Sequence, residues 1–109
     1  MAVGDIMILD TMKKLCSKRQ MKWSTHAAER MQERGIKRTD VIHCLENGEL
    51  IEDYPRDFPH PSCLVFGYAL DGKIIHVVAG CDAEYVYIIT AYIPKLSKFE
   101  ADMKKRKER

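Results

Sequence analysis

The chain has 109 residues, 46% hydrophobic and 31% charged, with a formal net charge of +2. These proportions fit one ordinary globular domain and exclude a fibrous or largely disordered chain. No apolar run is long enough for a membrane span and the first residues lack the basic region of a signal peptide, so a cytoplasmic protein is expected.

One α+β domain over residues 1–109 is expected, with N-terminal helices packed on an antiparallel meander of about four strands and a short C-terminal helix. From about Asp5 to Arg19, residues Ile6, Leu9, Met12, Leu15 and Cys16 recur at helical spacing. Ser24 or Thr25 can cap a second, short helix that runs to about Arg34 and ends at Gly35. Thr39 and Asp40 open a third through Leu45, closed at Asn47-Gly48. Strand patterns follow over Leu50–Tyr54, Leu64–Leu70, Lys73–Gly80 and Tyr85–Ile93. Pro55, Pro59 and Pro61 force a loop between the first two, and Asp71-Gly72 marks a hairpin. Ser97-Lys98-Phe99-Glu100 has the form of a capping box, which predicts a last helix docked through Leu96, Phe99 and Met103. A basic tail over residues 104–109 is expected to fray.

Charge is unevenly distributed. Residues 1–38 carry nine Lys/Arg against four Asp/Glu, residues 39–94 two against nine, and residues 95–109 seven against three. If the two basic ends fold together they present a positive surface to phosphates; otherwise they are solvated flanks. The carboxylates of Glu49, Glu52, Asp53 and Asp57 crowd the first strand and its loop and read as an acidic edge that protects the strand from aggregation.

Metal and cofactor sites are not suggested. Cys16, Cys44, Cys63 and Cys81 have no paired spacing and are expected to be free thiols. No Cys-x-x-Cys, His-x-x-x-His or Gly-rich phosphate loop is present. Basic and imidazole groups are the better candidates. His26, Arg30 and Arg34 recur every four residues, a stripe about 80° wide on the second helix, with His26 in its first turn. An inert solvated stripe is the competing explanation. His76 interrupts the strand Ile74-Ile75-His76-Val77-Val78, which is otherwise suited to burial. If Leu70 pairs with Lys73, His76 lies opposite Gly67, beside a recess left by small neighbours. If the next connection has three residues, His76 faces Thr90 and Ile74 faces Tyr92; two or four residues would dissolve that grouping. A core histidine bonded to a neighbour is the alternative.

The run Ser24-Thr25-His26-Ala27-Ala28-Glu29-Arg30-Met31-Gln32-Glu33-Arg34-Gly35-Ile36, followed by Asn47-Gly48-Glu49-Leu50-Ile51-Glu52-Asp53-Tyr54-Pro55, resembles the family called domain of unknown function 4258. Ile75-His76-Val77-Val78 and Ile89-Thr90-Ala91-Tyr92-Ile93-Pro94 resemble its closing strands, so the likeness covers about residues 22–95. It implies similarity to RelE-type and barnase-like ribonuclease folds and, for some members, a toxin partnered by a small zinc-finger antitoxin. The positions it carries over are His26, Arg30, Arg34, His76, Thr90 and Tyr92.

The chemistry expected from residues and resemblance together is metal-independent RNA cleavage by the substrate's own 2′-hydroxyl, which needs a base, an acid and cations around the phosphate. His76 and His26 would share the acid and base roles, Arg30 and Arg34 would hold the phosphate, and Thr90 and Tyr92 would orient it. Tyr54 and Phe58 are candidates for stacking on a splayed base. A non-catalytic module that binds RNA or protein is the alternative.

Overall fold

Helical spacing around Met12, Leu15 and Cys16 gives α1 (Val3–Ser17), whose three named side chains are buried. The computed structural model describes residues 3–107, with side chains described from residue 8; Ile6, assigned to the same apolar face, lies outside the described side chains. The order continues as β1 (Met21–Trp23), α2 (Thr25–Glu33), α3 (Arg38–Asn47), β2 (Glu49–Tyr54), β3 (Ser62–Tyr68), β4 (Ile74–Cys81) and β5 (Val86–Tyr92). Among the described residues no helix is long and apolar enough to cross a membrane.

The sheet has five strands in the order β1-β5-β4-β3-β2 and is mixed, not a four-stranded antiparallel meander. The extra strand, β1, runs parallel to β5 with Met21 beside Val86 and Trp23 beside Ile88. Three residues are too few for an alternating pattern to show in the sequence, and the strand is set by its partner: the Val86 N–H donates to the Gln20 carbonyl at 3.0 Å.

Two registers decide what the sheet presents. The β3–β4 turn closes through Ala69 N–H to Lys73 O (2.8 Å), so three residues, Leu70-Asp71-Gly72, form the loop, with Gly72 at φ 92°. His76 therefore faces Phe66 rather than Gly67. Gly67 points to the other face, where a Cβ would come within 2.6 Å of Cys44 Sγ, so α3 fills the space expected to be a recess. Between β4 and β5 the connection has four residues, from Cys81 to its partner Val86. Alone, that length would turn Thr90 and Tyr92 away from His76. A bulge at Ile89 adds one residue to β5 and restores the parity, which brings Thr90 opposite Val78 and Tyr92 opposite His76.

One face of the sheet packs against α1 and α3 through Val65, Ile75, Val77, Ala79 and Ala91, all buried. Each such aliphatic side chain contributes about 1.5–3 kcal/mol where large, less for Ala. Asp40 ties this layer together: Oδ2 accepts from the Lys37 N–H at 2.9 Å and Oδ1 from the Leu70 N–H at 3.0 Å. Cys16, Cys44 and Cys81 are free thiols, and burial pushes the Cys16 and Cys44 thiols up to about 12.

The other face, carrying Ser62, Leu64, Phe66, His76, Thr90 and Tyr92, is crossed by residues 95–107. These form successive turns closed by an antiparallel bridge between Phe99 and Arg106, and not the expected C-terminal helix. A helix would have needed Leu96, Phe99 and Met103 on one buried side. Only Phe99 is sealed, at 2% exposure, while Leu96 is 56% exposed and Met103 adopts φ 58°, which a helix cannot contain. Nor is the start of the basic tail frayed: Lys104 pairs with Glu49 at 2.9 Å and Arg106 with Glu52 at 3.0 Å.

Candidate functional site

Ser24 caps α2 by accepting from the Ala27 N–H at 3.0 Å, and Ala27 and Met31 are buried. With that face inward, the C-cap residue Arg34 reaches over β5, donating to the Ala91 carbonyl at 2.8 Å and to Thr90 Oγ1 at 3.3 Å. Neither acceptor is charged, so the guanidinium remains a positive centre.

His76 has 0% exposure. Its Nε2 lies 2.6 Å from the Met103 carbonyl, and because a carbonyl only accepts, Nε2 carries the proton. Nδ1 of the neutral ring then accepts from the Tyr92 hydroxyl at 3.3 Å. Burial lowers the imidazole pKa, only partly offset by the Met103 carbonyl and Glu52, which fits a neutral ring. Phe99 stands edge-on to it, with ring centres 4.6 Å apart. Burial also raises the Tyr92 phenol, against the nearby Arg106 charge.

Next to this pair, Glu52 accepts from both Nε (3.1 Å) and Nη2 (3.0 Å) of Arg106 and from the Tyr54 hydroxyl. Burial would raise its carboxyl, but the bonds from Arg106 and Tyr54 win and hold it below the usual range. Arg106 also lies over the Phe99 ring at 4.7 Å.

Between Arg34 and the C-terminal turns opens a cleft of about 600 Å³. Arg34, Lys95, Lys98 and Arg106 surround it, with Tyr92, Ile93 and Phe99 completing the wall and no carboxylate among the described residues of the lining. Arg34, Lys95 and Lys98, joined by Arg106 from its pair with Glu52, give the partly apolar wall a positive potential suited to a phosphate or another oxyanion.

Of the six residues expected to act, Arg34 and Thr90 form one hydrogen-bonded pair and Tyr92 and His76 another, and Arg34 and Tyr92 both line the cleft. His26 and Arg30 do not line the cleft. His26 is exposed eight residues before Arg34, about 12 Å back along the helix axis. Arg30 pairs with Glu33 at 3.1 Å on the open surface. Tyr54 is committed to Glu52, and Phe58 belongs to a separate recess. Lys95, Lys98 and Arg106 were not singled out from the sequence; their only signal was the excess of basic residues after position 94.

No curated protein and no solved structure matches the chain. A family model does, over residues 23–93, which includes Arg34, His76, Thr90 and Tyr92 and stops before Lys95. The chain belongs to the family described as "Domain of unknown function (DUF4258)".

Proposed function

We propose that the protein binds single-stranded RNA through its backbone phosphates and cleaves it without a metal, by attack of the 2′-hydroxyl on the adjacent phosphorus. The observation that carries this reading is the cleft of four cations, one of them paired with Glu52, with no carboxylate among the described residues of its lining, set against a tyrosine whose hydroxyl is bonded to a neutral imidazole. Arg34, Lys95, Lys98 and Arg106 neutralise the phosphate and the charge that builds on its oxygens. Tyr92 takes the 2′-hydroxyl proton as it passes its own to His76 Nδ1, so no phenolate forms. The 2′-oxygen bonds to phosphorus, the bond to the 5′-oxygen breaks, and that oxygen leaves with a proton from the ammonium of Lys95 or Lys98. The products are a 2′,3′-cyclic phosphate and a 5′-hydroxyl. His76 acts behind Tyr92 without touching the substrate, and takes up the proton against its burial with the Met103 carbonyl and Glu52 supporting the charge. An antitoxin for such a protein would lay an acidic segment into the same cleft.

A second reading, a non-catalytic RNA-binding module, draws on the complete burial of His76. The two separate in one experiment. The full chain is incubated with single-stranded RNA in EDTA, beside Arg34→Ala and Tyr92→Phe variants and a substrate carrying 2′-deoxy sugars. The nuclease reading expects cleavage of RNA but not of the deoxy substrate, slowed about 10²–10⁴-fold in Tyr92→Phe. RNA that is bound but left intact establishes the binding module. Arg34→Ala weakens binding in either case and lowers the salt dependence by about one phosphate contact; no salt-dependent binding by the wild type removes both readings.

A further inference from the structure

At the far end of the same sheet face lies a second recess, of about 470 Å³, between residues 55–61 and β5. Gly80 lets residues 60 and 61 close onto β4 at its wall, because a Cβ there would come 3.0 Å from the Pro61 carbonyl and 3.6 Å from the His60 Cβ. His60 stacks flat on Tyr87, the partner of Gly80 across the ladder, with ring centres 4.6 Å apart and planes within 7°. The Tyr87 hydroxyl donates to Asp82 Oδ2 at 2.6 Å, which fixes the ring and raises the phenol to about 12. Asp57 fixes the opposite wall by accepting from the Phe58 N–H at 3.0 Å and from Ser62 Oγ at 2.6 Å. Onto this frame Phe58 projects a ring that is 91% exposed, across from the bulge residue Ile89, itself 44% exposed.

A single exposed apolar side chain is ordinary. Here an exposed ring, a prestacked ring pair and an aliphatic floor converge in one recess, and the recess continues the face that bears the cationic cleft. Tyr87 precedes Tyr92 by five residues on β5, about 16 Å at strand rise. We infer that this recess is a subsite for one unpaired nucleobase of the strand whose phosphate sits in the cationic cleft, held by stacking on Phe58 and the His60–Tyr87 pair. The inference rests on the phosphate-binding reading and adds to it where the strand runs and why it must be single-stranded: a base paired within a duplex cannot enter. The flat ring pair and the Asp57 carboxylate in its lining suit a base with amino groups better than an aliphatic side chain of a peptide.

The test uses a short single-stranded oligonucleotide with 2′-deoxy sugars and a fluorescent end label, titrated into the full chain at several salt concentrations. Phe58→Ala, a change on an exposed loop, should weaken binding about 5- to 100-fold, the range for loss of one stacked base, with the salt slope unchanged. Phe58→Trp should restore it. An oligonucleotide made abasic one position at a time should show one position at which base removal costs the same factor in the wild type and nothing in Phe58→Ala. Salt-dependent binding by the wild type that Phe58→Ala leaves unaltered overturns the subsite and spares the phosphate reading. A wild type that does not bind overturns the phosphate reading and the subsite with it. Capture of an apolar peptide in preference to the oligonucleotide, abolished by Phe58→Ala, makes the recess a protein-docking site and also overturns the proposal.

Discussion

The two faces of the sheet solve different problems with the same strands. On the helix side Val65, Val77 and Ala91 lie side by side in one cross-strand row and bury only hydrocarbon. On the opposite side the neighbouring row, Phe66, His76 and Tyr92, places an imidazole between two aromatic rings and then covers it with Phe99 and the Met103 carbonyl. The difference teaches where chemistry can reside in so small a domain. Under the helices the only buried carboxylate among the described residues, Asp40, is satisfied by backbone N–H groups at the layer's edge, whereas the irregular segment on the other face supplies a carbonyl and charged side chains to a polar group in mid-strand.

The comparison is broken most severely by putting the same charge on each face. Val77→Asp buries a carboxylate among Val65, Ala91 and the helices with no partner, at a cost above about 4 kcal/mol, enough to leave no cooperative thermal transition. Thr90→Asp sets a carboxylate on the half-buried outer face beside the Arg34 guanidinium, and the chain should remain folded to within about 1 kcal/mol. Calorimetry of the two variants checks this. A folded Val77→Asp protein would mean that the helix layer is not the stabilising one.

An intermediate effect is expected at His76. His76→Ala opens a cavity under Phe99 and strips partners from Tyr92 and the Met103 carbonyl, which should cost about 2–4 kcal/mol in denaturant unfolding. The pH dependence has a definite sign. Because burial lowers the folded pKa, the unfolded chain takes up the proton first on acidification, so stability is full above the ordinary histidine value of 6.5 and falls as the pH drops through it. Glu52 acts in a lower window: its lowered pKa stabilises the fold above the ordinary carboxylate value of 4.5, and that contribution disappears as the pH falls further. Unfolding midpoints at pH 7.5, 6 and 5 should decline in the wild type and stay nearly level in His76→Gln. Parallel curves would show the ring to be as accessible to protons folded as unfolded.

The N-terminal helices were the most legible part of the sequence, since α2 is capped by Ser24 and followed by Gly35 at φ 69°, as capping chemistry predicts. The cluster of Arg34, Thr90, Tyr92 and His76 was legible as a set of residues but not as a geometry. The connection after β4 is one residue longer than the expectation required, and the bulge that compensates at Ile89 has no signature in a run of apolar residues. Residues after 94 were the least legible. Their capping-box pattern favours a helix locally, but the acidic strand β2 lies across the sheet, and pairing Glu49 and Glu52 with Lys104 and Arg106 is a long-range matter that no local pattern carries.

The smallest effect, and the sharpest test of how the outer face is held closed, concerns Arg106. Its pair with Glu52 is bidentate but half exposed on the arginine side, so Arg106→Ala should cost only about 0.2–1 kcal/mol, mostly lost again in high salt. Stacking on Phe99 adds a part that salt does not remove. A double-mutant cycle with Glu52→Gln, which keeps an acceptor for Tyr54, isolates the ionic share. If the coupling is small, the C-terminal turns stay down through Phe99 and the His76–Met103 bond, and the charge of Arg106 is free to serve an anion. A coupling above about 2 kcal/mol would instead make the pair a structural clasp, leaving the cleft with three working cations in place of four.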